Sequence, residues 1–362
     1  MKRGLFVAIA LLFSIGMVSA AMAQQNPVGN TNQQGSVLIF PKIDVTGATD
    51  TLVSLSNGND EAVEVECYWV DSLQVPHDFM FSLTANQPIV FSARTGLCLE
   101  TPIAVTIPPF PTNNSTIGEL KCWATDAAGM NQISWNFLTG SAKVVNIEYY
   151  TAYEYNAWAF QAIAATTFPT LTDVGTGGTI NLDGVNFEAC PQYFLGNFFA
   201  TGSEYGFFKN TELTLIPCIE DLREERTPTY TKAIFDIWNE NEVEFSGDTQ
   251  CVKCFFDGWL SVISPDFSFC NLDSAAARFR TYGQTNAVCP GGPQVNTPFV
   301  GLLVEKLDFS FGEETTGLGP ACALTASTGF GAGIANTAAT GVGVIKWDIS
   351  QAPVSAKKKA KK

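Results

Sequence analysis

EAVEVECYWV, residues 61–70, sets Val63, Val65, Cys67 and Trp69 on one side and Glu64, Glu66 and Tyr68 on the other. Successive side chains of an extended chain point to opposite faces, so this strict alternation predicts a strand with one face buried. Further along, GELKCWA (118–124) puts Leu120, Cys122 and Ala124 on one face in the same way. Both strands then turn a cysteine inward, which predicts a Cys67–Cys122 disulfide. In the chain-entropy account a bridge closing such a loop contributes about 4 kcal/mol, less any strain.

Similar short runs, separated by turn residues, fill the rest of the first half. GSVLIFPKI (35–43) has a proline near its end and is expected to be an outer or edge strand, because proline cannot donate to a ladder. DTLVSLSN (50–57) runs into the turn Asn57-Gly58-Asn59-Asp60. HDFMFSLTA, QPIVFSAR, ISWNFLTG and AKVVNIEYY are further strand candidates. EYNAWAFQAIAA (154–165) fits either a short helix or a last strand, and its periodicity does not separate the two.

PTLTDVGTGGTINL (169–182) is rich in Pro, Gly and Thr and marks a domain boundary. Beyond it, TELTLIPC, TKAIFDIW, EVEFSGDTQC, DGWLSVI, AARFRTY and GLLVEKLDFSF read as strands, with GVGVIKWDI as a final one. EDLREERT (220–227) reads as a loop or one helical turn, and the Gly/Ala/Thr-rich residues 317–343 as a loop over the second sheet. TLVSLSNGNDEAVEVEC and KAIFDIWNENEVEFSGDTQC both run strand, Asn-rich turn, strand, cysteine. Two related domains would give this echo, and so would any two hairpins with Asn turns. The expected fold class is all-β: two tandem antiparallel β-sandwich domains, loosely immunoglobulin-like, over residues 36–168 and 183–350.

The chain ends bound the setting. Residues 1–24 combine Lys2 and Arg3, an apolar run broken by Ser14, Gly16 and Ser19, and Ala21-Met22-Ala23, the pattern of a cleaved secretory signal peptide. No other apolar run approaches the roughly 20 residues of a spanning helix. The expected mature chain is exported, periplasmic or extracellular. Residues 25–35 are expected to form a flexible polar lead, and the Lys-rich residues 351–362 a disordered tail able to contact an acidic polymer. Between signal and tail, 13 basic residues face 35 acidic ones, a formal charge of −22. Such a body repels nucleic acid and anionic lipid. Charged residues make up 15% of the chain, against about 25% in an average domain, which suits an extracellular β-protein.

Ten cysteines follow the signal: Cys67, Cys98, Cys122, Cys190, Cys218, Cys251, Cys254, Cys270, Cys289 and Cys322. An even number in an exported chain predicts a disulfide framework. Cys251 and Cys254 form a Cys-x-x-Cys pair, yet neither a βαβ pattern nor a second close pair accompanies it, against redox and zinc readings. In a strand, residues three apart lie about 10 Å from Cα to Cα, too far for a bridge. Each must then find a distant partner, or the chain must turn, and Cys218, ending the neighbouring strand, is the expected partner of Cys251.

His77 is the single histidine, which leaves no multi-histidine metal site, and in QVPHDFM it reads as an isolated loop residue. No Gly-x-Ser-x-Gly elbow is present. Asn57-Gly58-Asn59-Asp60 and Asp183-Gly184 read as turns before calcium loops, and GFGAGIANTAATGVGV (329–344) does not match a phosphate loop. No catalytic residue, cofactor or metal ligand is assigned. Trp69 falls on an apolar face, whereas Trp123 and Trp238 fall opposite the inward residues of their strands. An outward tryptophan serves a ligand or is covered by the neighbouring domain, and both readings stand.

GSVLIFPKI, VEVECYWVDS, FSLTANQP, GELKCWATDAAG, EYNAWAFQA, ACPQYFLGNFF and TELTLIPCIEDL, in this order, resemble the blocks of an uncharacterised family of exported proteins of environmental bacteria. The likeness runs to about residue 260. It implies that the two-part layout and several cysteines are family features, and it implies no activity, ligand or catalytic residue.

The expected function is a non-enzymatic structural, adhesive or ligand-binding role at the envelope or outside the cell. Its partner would be an envelope polysaccharide or another surface protein. A secreted carbohydrate-active enzyme or binding module is the alternative, requiring two carboxylates facing one cleft beside an exposed aromatic. A subunit of a surface assembly, with the lead donating an edge strand, is the third reading.

Overall fold

A computed structural model describes residues 27–99, 105–148, 150–163, 173–176, 179–182, 184–201, 208–222, 229–284, 289, 293–295, 297–307, 333–337, 342–345 and 347–348. The expected signal peptide, the Lys-rich tail and Cys322 lie outside the described residues. The chain is nearly all β, and every paired strand runs antiparallel to its neighbour, as expected.

The first half holds β1 (Val37–Asp44), β2 (Thr49–Asn57), β3 (Val63–Asp71), β4 (Pro76–Leu83), β5 (Pro88–Ser92), β6 (Ile117–Thr125), β7 (Asn131–Ile133), β8 (Leu138–Asn146), β9 (Thr151–Asn156) and β10 (Trp158–Phe160). Sheet I runs in the order β10-β1-β6-β3-β4, and sheet II contains β9-β8-β2-β5. Along β3 the alternation of the sequence is the alternation of burial: Val63, Val65, Cys67 and Trp69 are buried, Glu64, Glu66 and Tyr68 half-buried. These inward residues meet Leu38, Phe40, Phe91, Leu120, Ala142 and Tyr155 in a core between the two sheets. Each large side chain so buried contributes about 1.5–3 kcal/mol. Trp69 is its hub: its ring lies 5.3 Å from Phe79 and 5.8 Å from Phe110, and its indole N–H donates to the Pro108 carbonyl at 3.0 Å.

Cys67 pairs directly with Cys122 in the β3–β6 register, and the two are bridged with their Cα atoms 4.1 Å apart. Strand β1 departs from expectation. It lies between β10 and β6, buried on both faces, rather than at an edge. The ladder shifts register between Phe40 and Ile43, so Pro41 falls where a donor is not required. Residues 154–165 contribute strand, not helix, through β9 and β10. His77 sits in β4 opposite Trp69, not in a loop.

The second half holds β11 (Asp173–Thr176), β12 (Thr179–Asn181), β13 (Phe194–Phe199), β14 (Phe208–Pro217), β15 (Ile219–Asp221), β16 (Tyr230–Asn239), β17 (Glu244–Lys253), β18 (Phe256–Trp259), β19 (Ala276–Gln284), β20 (Phe299–Leu307), β21 (Gly333–Thr337), β22 (Val342–Ile345) and β23 (Trp347–Asp348). Sheet III runs β13-β19-β16-β17, and sheet IV runs β18-β14-β20-β21-β22. DGWLSVI is strand only to Trp259, after which Leu260–Ile263 form a single helical turn. The boundary segment is partly ordered too, since β11 pairs with β7 and β12 with β15. Of residues 317–343, those described belong to β21 and β22, which extend sheet IV rather than loop over it.

The second core gathers Phe194, Phe198, Phe235, Phe267 and Phe279 with Leu213, Leu215 and Leu303. It also takes in Val37, Ile39, Trp123, Trp158 and Phe160 from sheet I. Sheet I therefore buries one face in each core. Residues 27–35 are tied down, not free: Gly29 N–H donates to Ala189 O at 3.0 Å, Asn30 and Ala159 exchange backbone bonds, and so do Gly35 and Leu138. The close approach needs glycine at 35, where a Cβ would lie 2.7 Å from the Phe160 backbone. Absence of periodicity signalled no strand here, yet backbone groups alone make the attachment.

Two more bridges staple the second half, Cys190–Cys218 and Cys251–Cys289. The expected Cys218–Cys251 pairing is thus overturned. Cys218 lies between β14 and β15, and β15 pairs with β12, whose following residue Leu182 accepts the Cys190 N–H; Cys251 lies in β17 of sheet III, and Cys289 follows β19 of the same sheet. Cys270 is disulfide-bonded as well, and Cys98 is a reduced, half-buried thiol.

Candidate functional site

The outer face of sheet III carries the chemistry. In β16 the residues Ala233, Phe235 and Ile237 point into the second core, which turns Lys232, Asp236 and Trp238 outward. In β19 the inward residues Ala277 and Phe279 leave Arg278, Arg280 and Tyr282 outside. Register sets Trp238 opposite Arg278, and Asp236 opposite Arg280. Cross-strand partners lie about 5 Å apart, so these side chains must meet.

They meet as a ladder. The Arg278 guanidinium carbon lies 4.8 Å from the centre of the Trp238 ring, and that of Arg280 lies 5.2 Å from it. Arg280 is also 5.2 Å from the ring of Tyr193, which makes an edge contact with Tyr282 at 5.7 Å. The Arg280 Nε donates to Asp236 Oδ2 at 2.7 Å, and this bond raises the guanidinium pKa further above its ordinary range. Among the described residues Arg278 has neither a hydrogen bond nor an ion pair, and it is exposed. Beneath the ladder, Phe279 touches Phe194, Phe198, Phe235 and Phe267, with centroids 5.8–6.2 Å apart. The packed aromatic layer stiffens the platform from beneath.

Trp238 is thus on the surface, as its parity indicated, but its ring supports two arginines. Trp123 is fully buried in the second core and stacks on Tyr68 with centroids 5.2 Å apart. Cover by the second half of the chain is the outcome there. The arginines escaped sequence reading altogether. The alternation RFR in AARFRTY was the available signal, since it puts both cations on the face opposite Phe279.

A second polar cluster lies where β1 meets sheet IV. Lys42 Nζ is 2.7 Å from Glu212 and 2.9 Å from Asp257, with all three side chains largely buried. Burial alone would lower the Lys42 pKa, but Asp257 and Glu212 more than offset it and raise it. Burial and then the Glu212 charge push the Asp257 carboxyl up. Both carboxylates border a cleft of about 420 Å³ with Asp44 and Glu148, so two carboxylates do share a cleft. They close on one ammonium, however, and the neighbouring Tyr153 ring is buried. That arrangement leaves neither carboxylate free to transfer a proton or attack a sugar.

Cys251 is locked to Cys289, and Cys254 sits at a reversal with φ 39° between β17 and β18. The Cys-x-x-Cys pair is thus split between a strand and a turn. No group of three or more His, Cys, Asp or Glu able to hold a metal occurs among the described residues. No protein-family model, curated protein or solved structure matches the chain.

Proposed function

We propose that the protein is a non-enzymatic binding protein of the bacterial envelope or exterior, which engages its partner through the outer face of sheet III. The observation that carries this reading is the ladder Tyr193–Arg280–Trp238–Arg278, a braced set of aromatic and cationic side chains, exposed at Tyr193 and Arg278 and half-buried at Arg280 and Trp238, on the outer face of the sheet. Large rigid aromatics and arginines are the residues on which interfaces concentrate their binding energy. The bridges Cys67–Cys122, Cys190–Cys218 and Cys251–Cys289 fit an oxidising compartment, in line with the signal-like residues 1–24. No described helix is long and apolar enough to cross a membrane. The two cores support a reading of two β-sandwiches packed through sheet I, each with its own staple.

The enzyme alternative is weakened by the closure of Glu212 and Asp257 on Lys42. The donor-strand alternative is weakened by the pairing of residues 27–35 with their own chain. The test is sedimentation of labelled mature chain, residues 25–362, with isolated cell envelopes. Binding that Trp238→Ala abolishes is expected. Binding that survives Trp238→Ala would remove this face as the contact surface.

A further inference from the structure

We infer that the ligand of this face is an acidic polysaccharide whose carboxylates are held by the guanidinium edges of Arg278 and Arg280; the inference rests on the face being the binding surface. Charge distribution is the first ground. Elsewhere the described cationic side chains are committed: Lys42 to Glu212 and Asp257, Lys121 to Glu119, Lys143 to Glu154, and Arg94 to the carbonyls of Val45, Gly47 and Thr49. The other four, Lys232, Lys253, Arg278 and Arg280, all belong to the outer face of sheet III, where Arg280 is paired with Asp236 and the other three have no ion pair among the described residues. Asp236 and Glu244 are the carboxylates set against Arg280 and Trp238 there. Among the described side chains, the cations with neither an ion pair nor a hydrogen bond thus lie on one surface.

Geometry is the second ground. Residues two apart on a strand lie about 7 Å apart, so Arg278 and Arg280 offer two parallel forks to successive groups of a chain, not to one small ion. Arg280 already spends its Nε on Asp236, while Arg278 keeps all its donors for a ligand. Both guanidinium groups are held against Trp238, so little side-chain freedom remains to be lost on binding. The face is an open sheet, which suits an extended polymer. Around the forks stand Asn197, Ser246, Thr249 and Gln284, neutral groups able to meet sugar hydroxyls.

The experiment is titration calorimetry of mature chain with polygalacturonate oligomers, with the same oligomers methyl-esterified, and with poly-L-glutamate. Polygalacturonate is expected to bind, more weakly as salt rises. The ester and poly-L-glutamate are expected to bind at least about tenfold more weakly. Arg278→Ala should weaken polygalacturonate binding about tenfold or more, and Arg278→Lys should recover part of the loss, because a point charge lacks the fork. The tail lysines are common to every variant and cancel in the comparison. Three results would each overturn the inference: equal binding of the ester, equal binding of poly-L-glutamate, or an unchanged Arg278→Ala. If Trp238→Ala abolishes envelope binding while polygalacturonate does not compete with it, the face stands and the acidic ligand falls. If envelope binding ignores Trp238, both fall.

Discussion

Trp238 and Arg278 face each other across the β16–β19 ladder with the guanidinium 4.8 Å from the ring centre, and Arg280 lies 5.2 Å from the same ring. A cation over a half-buried indole such as Trp238 is worth on the order of 1 kcal/mol, too little to make this pair a pillar of the fold. Its effect is orientation: the ring fixes where two cations point.

Trp238→Ala should therefore cost stability on the order of 1–2 kcal/mol while abolishing partner binding. Trp123→Ala, which empties a fully buried site among Val37, Phe160 and Tyr68, should cost about 3–5 kcal/mol. Urea denaturation of both variants checks the contrast. Equal losses would mean that Trp238 is a core residue and that the ladder is only structural.

How far the sequence reached follows from what each signal encodes. The alternation of β3 reports a face, so it located Val63, Val65, Cys67 and Trp69, and with β6 the bridge to Cys122. Parity placed Trp123 and Trp238 outside their own sheet but could not say what lay beyond it. For Trp123 that is the second core, and for Trp238 two arginines. Proline pointed β1 to an edge, because sequence shows the missing donor and not the register shift that excuses it. The expected pairing of Cys218 and Cys251 failed because β14 and β17 went to different sheets, a decision made by packing.

Disulfide mapping by mass spectrometry of the unreduced protein should return the linked pairs Cys67–Cys122, Cys190–Cys218 and Cys251–Cys289. Removing the first pair, as Cys67→Ala with Cys122→Ala, should lower stability by about 2–5 kcal/mol, because it frees a long loop in the unfolded chain. A Cys251–Cys254 peptide would instead restore the redox reading of that pair.

Glu305 makes stability depend on pH. Burial pushes its carboxyl up to about 7, with the Phe199 N–H, 3.0 Å away, acting in the opposite sense. The folded pKa lies above the unfolded value of about 4.3, so the folded state favours the proton. Its contribution is intact below the unfolded value and is lost as pH rises through about 7, about 4 kcal/mol in all. Glu305→Gln keeps an acceptor for Phe199 and needs no proton. Relative to the wild type it should gain up to about 3 kcal/mol between pH 4 and pH 8. A flat difference across that range would mean that Glu305 is ionised in the fold without penalty.

Lys42 gives the opposite test, because its ammonium lies 2.7 Å from Glu212 and 2.9 Å from Asp257, two largely buried carboxylates. Replacing it with methionine preserves most of its volume and strands Glu212 and Asp257 together in a low-dielectric junction. Removing one partner of a buried pair typically costs 3–5 kcal/mol, chiefly through the charge left behind. With Lys42 gone, the repulsion between the carboxylates and their burial both favour protonation, so the cost of Lys42→Met should shrink as pH falls from 7 to 4. Adding Glu212→Gln and Asp257→Asn to Lys42→Met should recover most of the loss at pH 7, since a neutral junction has no charge to strand. Urea midpoints of the single and triple variants at the two pH values read this out. A single variant as stable as the wild type at pH 7 would mean that water, rather than Lys42, balances the pair.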